Sequence, residues 1–272
     1  VLDIVFIVAF KSGVAGAAYA TVISQIFSGV LCFLYIKKKF PILKIQKDEF
    51  TFDKGLQLQL LKIGLPMALQ FSITAVGAII LQSAVNSLGS AIVAAITAAG
   101  KIQMIVTQPM ETLGVTMATY CGQNMGAGKY DRIKEGVKKS VVMSIIYCIF
   151  AWALMTFLGS KAALLFIDGS ETAIISNISA FLRINSIFYP VLGILFILRN
   201  SIQGLGYGFS AMMGGLFELA ARSLVAFCLV GIFGFNAVCF ANPAAWIAAD
   251  ILLIPMYFVS LKKTKQLFKN NN

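Results

Sequence analysis

The chain has 272 residues, of which 59% are apolar and 12% are charged, and its formal net charge is +11. Soluble domains carry about 25% charged residues, so this composition excludes an ordinary soluble domain and favours a protein that has the lipid bilayer as its solvent. The absence of histidine excludes a Ser-His-Asp triad, and the basic residues lie in loops between apolar runs rather than in a stripe with aromatic residues, which argues against nucleic acid as a partner.

Apolar runs that could cross a bilayer follow one another along the whole chain. A membrane-spanning helix needs about 20 residues to cross roughly 30 Å of hydrocarbon. The pattern predicts a short apolar stub and seven full spans, at 1–10, 13–36, 60–84, 91–122, 136–158, 173–198, 210–233 and 243–261. We therefore predict an all-α polytopic membrane protein. Because the stub opens with valine, we expect it to be the end of a helix in a longer protein.

One long polar segment divides the predicted helices into two groups. Residues 37–59 read as a linker between an amino-terminal part, 1–36, and a six-helix part, 60–261. A basic tail, 262–272, follows the last helix.

The distribution of basic residues predicts the orientation of the chain. Placing the loop after Phe40 in the cytoplasm puts 17 of the 22 lysines and arginines on the inner side, with Arg199 counted among the loop residues. Only Lys11 and Lys161 then lie outside, and the remaining three, Lys101, Arg183 and Arg222, lie within spans. The positive-inside rule therefore predicts a cytoplasmic carboxy terminus.

A short internal similarity suggests that the two parts are related. Small residues recur at an offset of 221 positions, each time just before a span: Gly13, Gly16 and Ala20 against Gly234, Ala237 and Ala241. Parallel repeats of this kind are a known way to build transporters.

Several motifs resemble those of one family of membrane proteins. The runs GLPMALQFSITAVGAIILQSAVNSLGS and QPMETLGVTMATYCGQNMGAGKYDRIKEG resemble the seventh and eighth helices of MATE exporters (multidrug and toxic compound extrusion) and the loop that follows them. LDIVFIVAFKSGVAGAAYATVISQ is similar to the fifth-to-sixth helix region of that family, and IQGLGYGFSAMMGGLFELAAR to its tenth-to-eleventh. The resemblance implies a MATE-type two-lobe helical bundle, of which this chain holds the end of the first lobe and the complete second six-helix lobe, without the first four helices.

The resemblance also implies a cation site in the first lobe. In the DinF-like branch, Asp3 matches an aspartate of the fifth helix and Thr21 matches a threonine of the sixth, which together bind the coupling ion, Na⁺ or H⁺. In the NorM-like branch the second lobe carries acids on the seventh and tenth helices. Here Thr74 stands where that branch has the acid of its seventh helix. The span that corresponds to the tenth helix, at 173–198, has no acid either, so the DinF-like branch is favoured.

Other polar residues inside the spans are candidates for a substrate cavity or for contacts between helices. Glu111 could protonate, attract a cationic compound or bond to another helix, and Gln70 and Tyr189 could line a cavity or pack. Glu218 and Arg222 stand four residues apart with the acid first, which favours a structural ion pair on one helix. Asp250 has no partner on its own helix, so we expect Arg222 or Arg183 on another helix to pair with it.

These observations together predict a secondary antiporter that exports amphipathic, often cationic, organic compounds in exchange for Na⁺ or H⁺. A lipid-linked saccharide flippase of similar architecture is the alternative. We expect no enzyme activity, no cofactor and no disulfide or metal framework, since the five cysteines lie in apolar runs without CxxC spacing. The expected partners are the lipid bilayer of a bacterial plasma membrane and organic small molecules, and the expected transporter is a monomer.

Overall fold

Every regular element in the described part of the chain is helical. The computed structural model describes residues 2–41 and 52–270, so the middle of the predicted linker, at 42–51, lies outside the described residues. In chain order the helices are α1 (Leu2–Ile4), α2 (Gly13–Lys39), α3 (Lys54–Asn86), α4 (Ser90–Gly126), α5 (Tyr130–Ala163), α6 (Thr172–Ile187), α7 (Tyr189–Gly204), α8 (Gly208–Leu224), α9 (Val230–Phe233) and α10 (Phe235–Asn270).

The number of membrane spans agrees with the prediction. Among the described residues, six helical stretches are long and apolar enough to cross a bilayer, one of them formed by α8 and α9 together. The pair α6 and α7, bent by 54°, brings the number to seven if it is counted as one broken span. The helices break at Phe188, two residues before Pro190, because proline lacks the amide hydrogen that a continuous helix needs there. The all-α fold class is therefore confirmed.

The chain divides into two compact units, 1–54 and 55–272. In the first unit, α1 continues as a π-helical segment, Val5–Ala9, and the chain then turns through Lys11 and Gly13, which both have positive φ. The following helix packs back at Gly16, where an added Cβ atom would lie 3.1 Å from the Cβ atom of Phe6. The small residue at this position therefore lets the helix approach the π-helical segment closely.

The predicted internal similarity reappears in the second unit as local structure. A second π-helical segment, Val225–Leu229, precedes Gly234, whose φ of +54° nearly equals the +55° of Gly13. Both glycines begin the turn into the next helix because a positive φ is strained for residues that carry a Cβ atom. The two parts of the chain thus share a π-helical segment, a glycine turn and a following helix.

The core of the second unit lies where α4 and α5 pack against α6 and α7, and where α10 packs against α7 and α8. Its fully buried side chains include Ile133, Leu182, Leu195, Ile202 and Leu253. Lipid is as apolar as these side chains, so close packing rather than water exclusion holds such helices together.

Two glycines allow a close approach between α4 and α7. A Cβ atom on Gly114 would lie 2.8 Å from the carbonyl oxygen of Phe196, and one on Gly204 would collide with the carbonyl oxygen of Ala118. Both obstacles are backbone atoms, which cannot move aside without shifting a helix.

We expect Gly114→Ala to destabilise the protein by about 1–3 kcal/mol, because the added methyl group forces α4 away from α7. Thermal unfolding in detergent measures the effect as a lower Tm. Gly100→Ala is the matched control, since it lies on the same helix with no atom within 4 Å of an added Cβ atom. It should leave stability unchanged or raise it by up to about 1 kcal/mol. Equal Tm values for the two variants would contradict the proposed close approach.

Candidate functional site

A cluster of buried charges connects α7, α8 and α10. Glu218 on α8 accepts a hydrogen bond from Arg199 Nη2 on α7, and its other carboxylate oxygen lies 3.5 Å from Arg222 Nη2, one helical turn further along α8. These three residues are only 3–8% exposed. Because burying a charge is costly unless it is paired, one carboxylate shared by two guanidinium groups is a strong constraint on the packing of these helices.

Asp250 on α10 adds the fourth charge. It is buried, lies within electrostatic range of Arg199, and its Oδ1 atom has no hydrogen-bond partner among the described residues. We call Arg199, Glu218, Arg222 and Asp250 the ion cluster. When both acids are ionised, the four charges sum to zero.

The ion cluster corrects two predictions. Arg199 is not a loop residue, because α7 begins at Tyr189, continues to Gly204 and carries Arg199 inside the bundle. Asp250 interacts electrostatically with Arg199, whereas the predicted partners Arg222 and Arg183 form no salt bridge with it, and Arg183 is exposed on α6. Neither arrangement could be found from spacing on a single helix, since the partners come from different helices.

Polar groups of α3 contact the ion cluster and its surroundings. Arg222 Nη1 lies 3.5 Å from the backbone oxygen of Thr74, and Gln203 on α7 donates a 2.8 Å hydrogen bond to the buried Gln70. Gly77 presents no side chain toward Arg222, and a Cβ atom there would lie 3.5 Å from its Cδ atom. These contacts hold α3 against α7 and α8 through polar rather than purely apolar packing.

Two cavities meet the ion cluster from opposite ends of the helices. We call the end at which α4, α7 and α10 finish the basic end, because Lys129, Lys134 and Lys262 lie there, and the opposite end the far end. The basic-end cavity, about 280 Å³, is lined by thirteen residues that include Gln70, Glu111, Arg199, Asn200 and Gln203. The far-end cavity, about 490 Å³, is lined by fourteen that include Thr74, Gln82, Lys101, Gln103 and Arg222.

The two cavities differ in charge. Glu111 is exposed in the basic-end cavity and Lys101 is exposed in the far-end cavity. Neither forms a salt bridge with another described residue. Arg199 also lines the first cavity and Arg222 the second, but both are paired with Glu218. The unpaired charge is therefore negative in one cavity and positive in the other.

The other predicted site residues are not members of the ion cluster. Tyr189 is fully buried with its ring against Trp246, and it is absent from the lining of both cavities. Thr21 lies on α2 in the first unit and donates a hydrogen bond to the carbonyl oxygen of Ala17. The backbone of Asp3 belongs to α1, while its side chain lies outside the described residues.

The described residues offer no obvious metal centre. In the ranges 2–41 and 52–270, no three side chains of aspartate, glutamate, cysteine or histidine converge to hold an ion. In the ion cluster, guanidinium groups already neutralise Glu218 and lie near Asp250, so these acids are poorly suited to bind a further cation.

Sequence reasoning missed Arg199 and its neighbours Asn200 and Gln203, which all line the basic-end cavity. A signal was available, because Arg199 and Gln203 stand four residues apart and so share one face of a helix. The run ILFILRN places the arginine directly after apolar residues, which made it look like the end of a span.

Both the sequence and the fold of the chain resemble those of known proteins. The MatE family model matches residues 66–227. The probable multidrug resistance protein YpnP of Bacillus subtilis is 30% identical over 207 residues, which cover 76% of this chain and 45% of YpnP. The probable multidrug resistance protein YoeA of the same organism is 27% identical over 266 residues, covering 94% of this chain and 56% of YoeA. The chain thus spans about half the length of these curated relatives.

The helices also superpose on solved structures. A structure described as the outward-facing conformation of a multidrug resistance MATE family transporter of the MOP superfamily matches with a TM-score of 0.86 at 19% identity. The match covers 97% of this chain and 60% of that one. At this identity the likeness establishes the fold.

Proposed function

Because the chain belongs to the MATE family, we propose that the full-length protein is a secondary antiporter that exports amphipathic, often cationic, organic compounds in exchange for Na⁺ or H⁺. The observation that carries the proposal is the pair of cavities that approach one buried ion cluster from opposite ends of the helices. Such a division suits a transporter that opens to one side at a time. The names of the relatives, which refer to multidrug resistance, support organic compounds as the cargo.

The charges of the two cavities suit export of cations. We place the basic end, and with it the carboxy terminus, in the cytoplasm by the positive-inside rule. The bacterial origin of the relatives supports a bacterial plasma membrane as the location. Glu111 then attracts a cationic compound on the inner side, beside Met67 and Phe71, whose thioether and ring adapt to varied apolar shapes. On the outer side Lys101 repels the same compound and favours its release.

We assign the coupling ion to the first lobe, at Asp3 with Thr21. A carboxylate inside hydrocarbon is stable only when it is protonated, paired or ion-bound, so gain or loss of a cation changes the preferred packing of its helix. A bound ion shifts the equilibrium between inward-open and outward-open states only by its difference in affinity for the two. In the second lobe, Gln70, Thr74 and Glu111 line the substrate path rather than bind the ion. The transporter works as a monomer.

The alternative of a lipid-linked saccharide flippase finds no specific support. Such a substrate carries a pyrophosphate and calls for several free basic groups along the path. Of the cations that line the two cavities, Arg199 and Arg222 are paired with Glu218, which leaves Lys101 alone.

Efflux measurements test the proposal directly. The full-length protein is reconstituted into vesicles loaded with a fluorescent organic cation, and a Na⁺ or pH gradient is imposed in either direction. We expect one of the two gradients to accelerate efflux by at least about 5-fold, the lower end of typical coupling energies. An efflux rate that changes with neither gradient would contradict the antiport proposal.

A second arm tests the role of Glu111. Glu111→Gln removes an attraction worth about 1 kcal/mol, so the apparent affinity for a cationic substrate should fall about 5-fold. The affinity for a neutral substrate of similar size should stay unchanged. An equal loss for both substrates would point to a packing role for Glu111 instead.

A further inference from the structure

A third cavity lies apart from the ion cluster and is larger than the two described above. It is a groove of about 600 Å³ between α5, α7 and α10 at the basic end, and all of its lining residues belong to the second unit. We call it the lysine groove. The proposed transport function uses none of the residues that line it.

The mouth of the lysine groove is strongly basic. Lys134 and Lys138 stand one turn apart on α5, and Lys262 and Lys265 face them from α10 across the groove. All four are exposed, none forms a salt bridge with another described residue, and no acidic residue lines the groove. Glu135 lies between Lys134 and Lys138 in the sequence but pairs with Lys139 instead, with 2.7 Å between Glu135 Oε1 and Lys139 Nζ. Four positive charges therefore converge on one opening without a described counter-charge.

The interior of the lysine groove is apolar. Val141 and Val142 on α5, Ile194 on α7, and Ile254 and Phe258 on α10 form its deeper walls. Tyr130 lies at the level of the lysines, where its ring is 5.8 Å from Lys265 Nζ. The groove therefore changes from cationic and aromatic at its mouth to aliphatic further along the same helices.

The length of the groove matches one leaflet of a bilayer. From Tyr130 to Val142 the rise along α5 is about 18 Å, and from Lys265 to Ile254 the rise along α10 is about 16 Å. Half of a bilayer, with its headgroup region, measures about 20–23 Å. The lysines thus lie at headgroup level, and the apolar walls lie at the level of the acyl chains.

We propose that the lysine groove binds one anionic diacyl phospholipid, with its phosphate among Lys134, Lys138, Lys262 and Lys265 and an acyl chain along the apolar wall. Charge complementarity selects the occupant, since basic recesses between membrane helices on the cytoplasmic side bind anionic headgroups. A zwitterionic lipid brings no net charge to four uncompensated lysines. A soluble anion would leave the apolar wall uncovered.

Native mass spectrometry of the full-length protein, released from micelles containing phosphatidylglycerol and phosphatidylcholine, tests the proposal. We expect one retained phosphatidylglycerol, with at least about a 10-fold preference over phosphatidylcholine. The combined variant Lys134→Gln, Lys138→Gln, Lys262→Gln and Lys265→Gln should lose this preference. The matched control is Lys54→Gln, Lys62→Gln, Lys129→Gln and Lys263→Gln, which removes the same charge at the same end but outside the groove.

The control variant should keep the bound lipid. If both variants lose the lipid equally, the attraction is a general property of the basic end, and the proposal is overturned. The proposal is also overturned if the groove variant binds the lipid like the original protein. Displacement of the lipid by about 10 mM inorganic phosphate would show a site for free anions, which also overturns it. Val141→Trp fills the apolar wall and keeps the lysines, so it should abolish lipid retention. If that variant fails to fold, the two lysine variants decide the matter.

Discussion

Replacing Glu218 by glutamine is expected to destabilise the protein by about 3–5 kcal/mol, the typical cost of breaking a buried ion pair by removing one partner. Glu218 is the carboxylate that Arg199 and Arg222 share, and these two guanidinium groups lie close enough to repel one another. With a neutral glutamine at position 218, Asp250 is the only acid of the ion cluster left to balance the buried charges of Arg199 and Arg222. Unfolding of the full-length protein by heat or by a denaturing detergent measures the loss.

Glu111→Gln is the matched control for Glu218→Gln. Glu111 is also a glutamate inside a membrane span, but it is exposed to a cavity and has no salt bridge among the described residues. Its replacement should change stability by less than about 1 kcal/mol, as for exposed charges generally. If both variants unfold alike, the ion cluster does not hold α7 and α8 together, and its proposed structural role is wrong.

The ion cluster also shows which features a sequence can reveal. Glu218 and Arg222 stand four residues apart on one helix, so their contact follows from helical geometry alone. The ion pair of Arg199 with Glu218 and the electrostatic interaction of Arg199 with Asp250 depend on how three helices pack, and no local pattern encodes that arrangement. Arg199 looked like a loop residue because the positive-inside rule counts charges without knowing which ones are neutralised inside the bundle.

The membrane spans were predictable for a simple physical reason. Each must be apolar over about 20 residues to cross the hydrocarbon, so the pattern of apolar runs fixes their number. The bend at Pro190 was also accessible, since proline removes a helical hydrogen bond. The burial of Tyr189 was not, because an aromatic residue with a hydroxyl group suits a cavity wall and a packed core equally well.

The internal repeat connects the ion cluster with the proposed coupling site. The two π-helical segments are offset by 220 residues and the two glycine turns by 221. The same offsets align Asp3 with position 223 or 224, next to Arg222, and Thr21 with Asn242, which lines the far-end cavity. Where the first repeat carries a carboxylate, the second has a fixed guanidinium group nearby. On our proposal for Asp3, a mobile cation is therefore favoured in the first repeat, whereas the guanidinium groups oppose one in the second.

This asymmetry leads to the largest expected effect on function, which is that of Asp3→Asn. The asparagine has nearly the shape of aspartate but cannot gain or lose a proton and binds Na⁺ weakly without the negative charge. An ion that no longer distinguishes the two conformations cannot drive transport between them. Gradient-driven efflux should fall from at least about 5-fold stimulation to none, while insertion into the membrane stays intact.

Two companion variants separate ion coupling from general damage. Asp131→Asn removes an exposed carboxylate from the first turn of α5 and should leave gradient-driven efflux unchanged. Thr21→Ala should weaken coupling only partly, because its hydroxyl group already donates to the carbonyl oxygen of Ala17 and offers an oxygen ligand without charge. If Asp3→Asn still responds to the gradient as the original protein does, the driving cation binds elsewhere. The uncharged polar groups of the second lobe would then be the next residues to test, since the guanidinium groups of the ion cluster oppose a bound cation there.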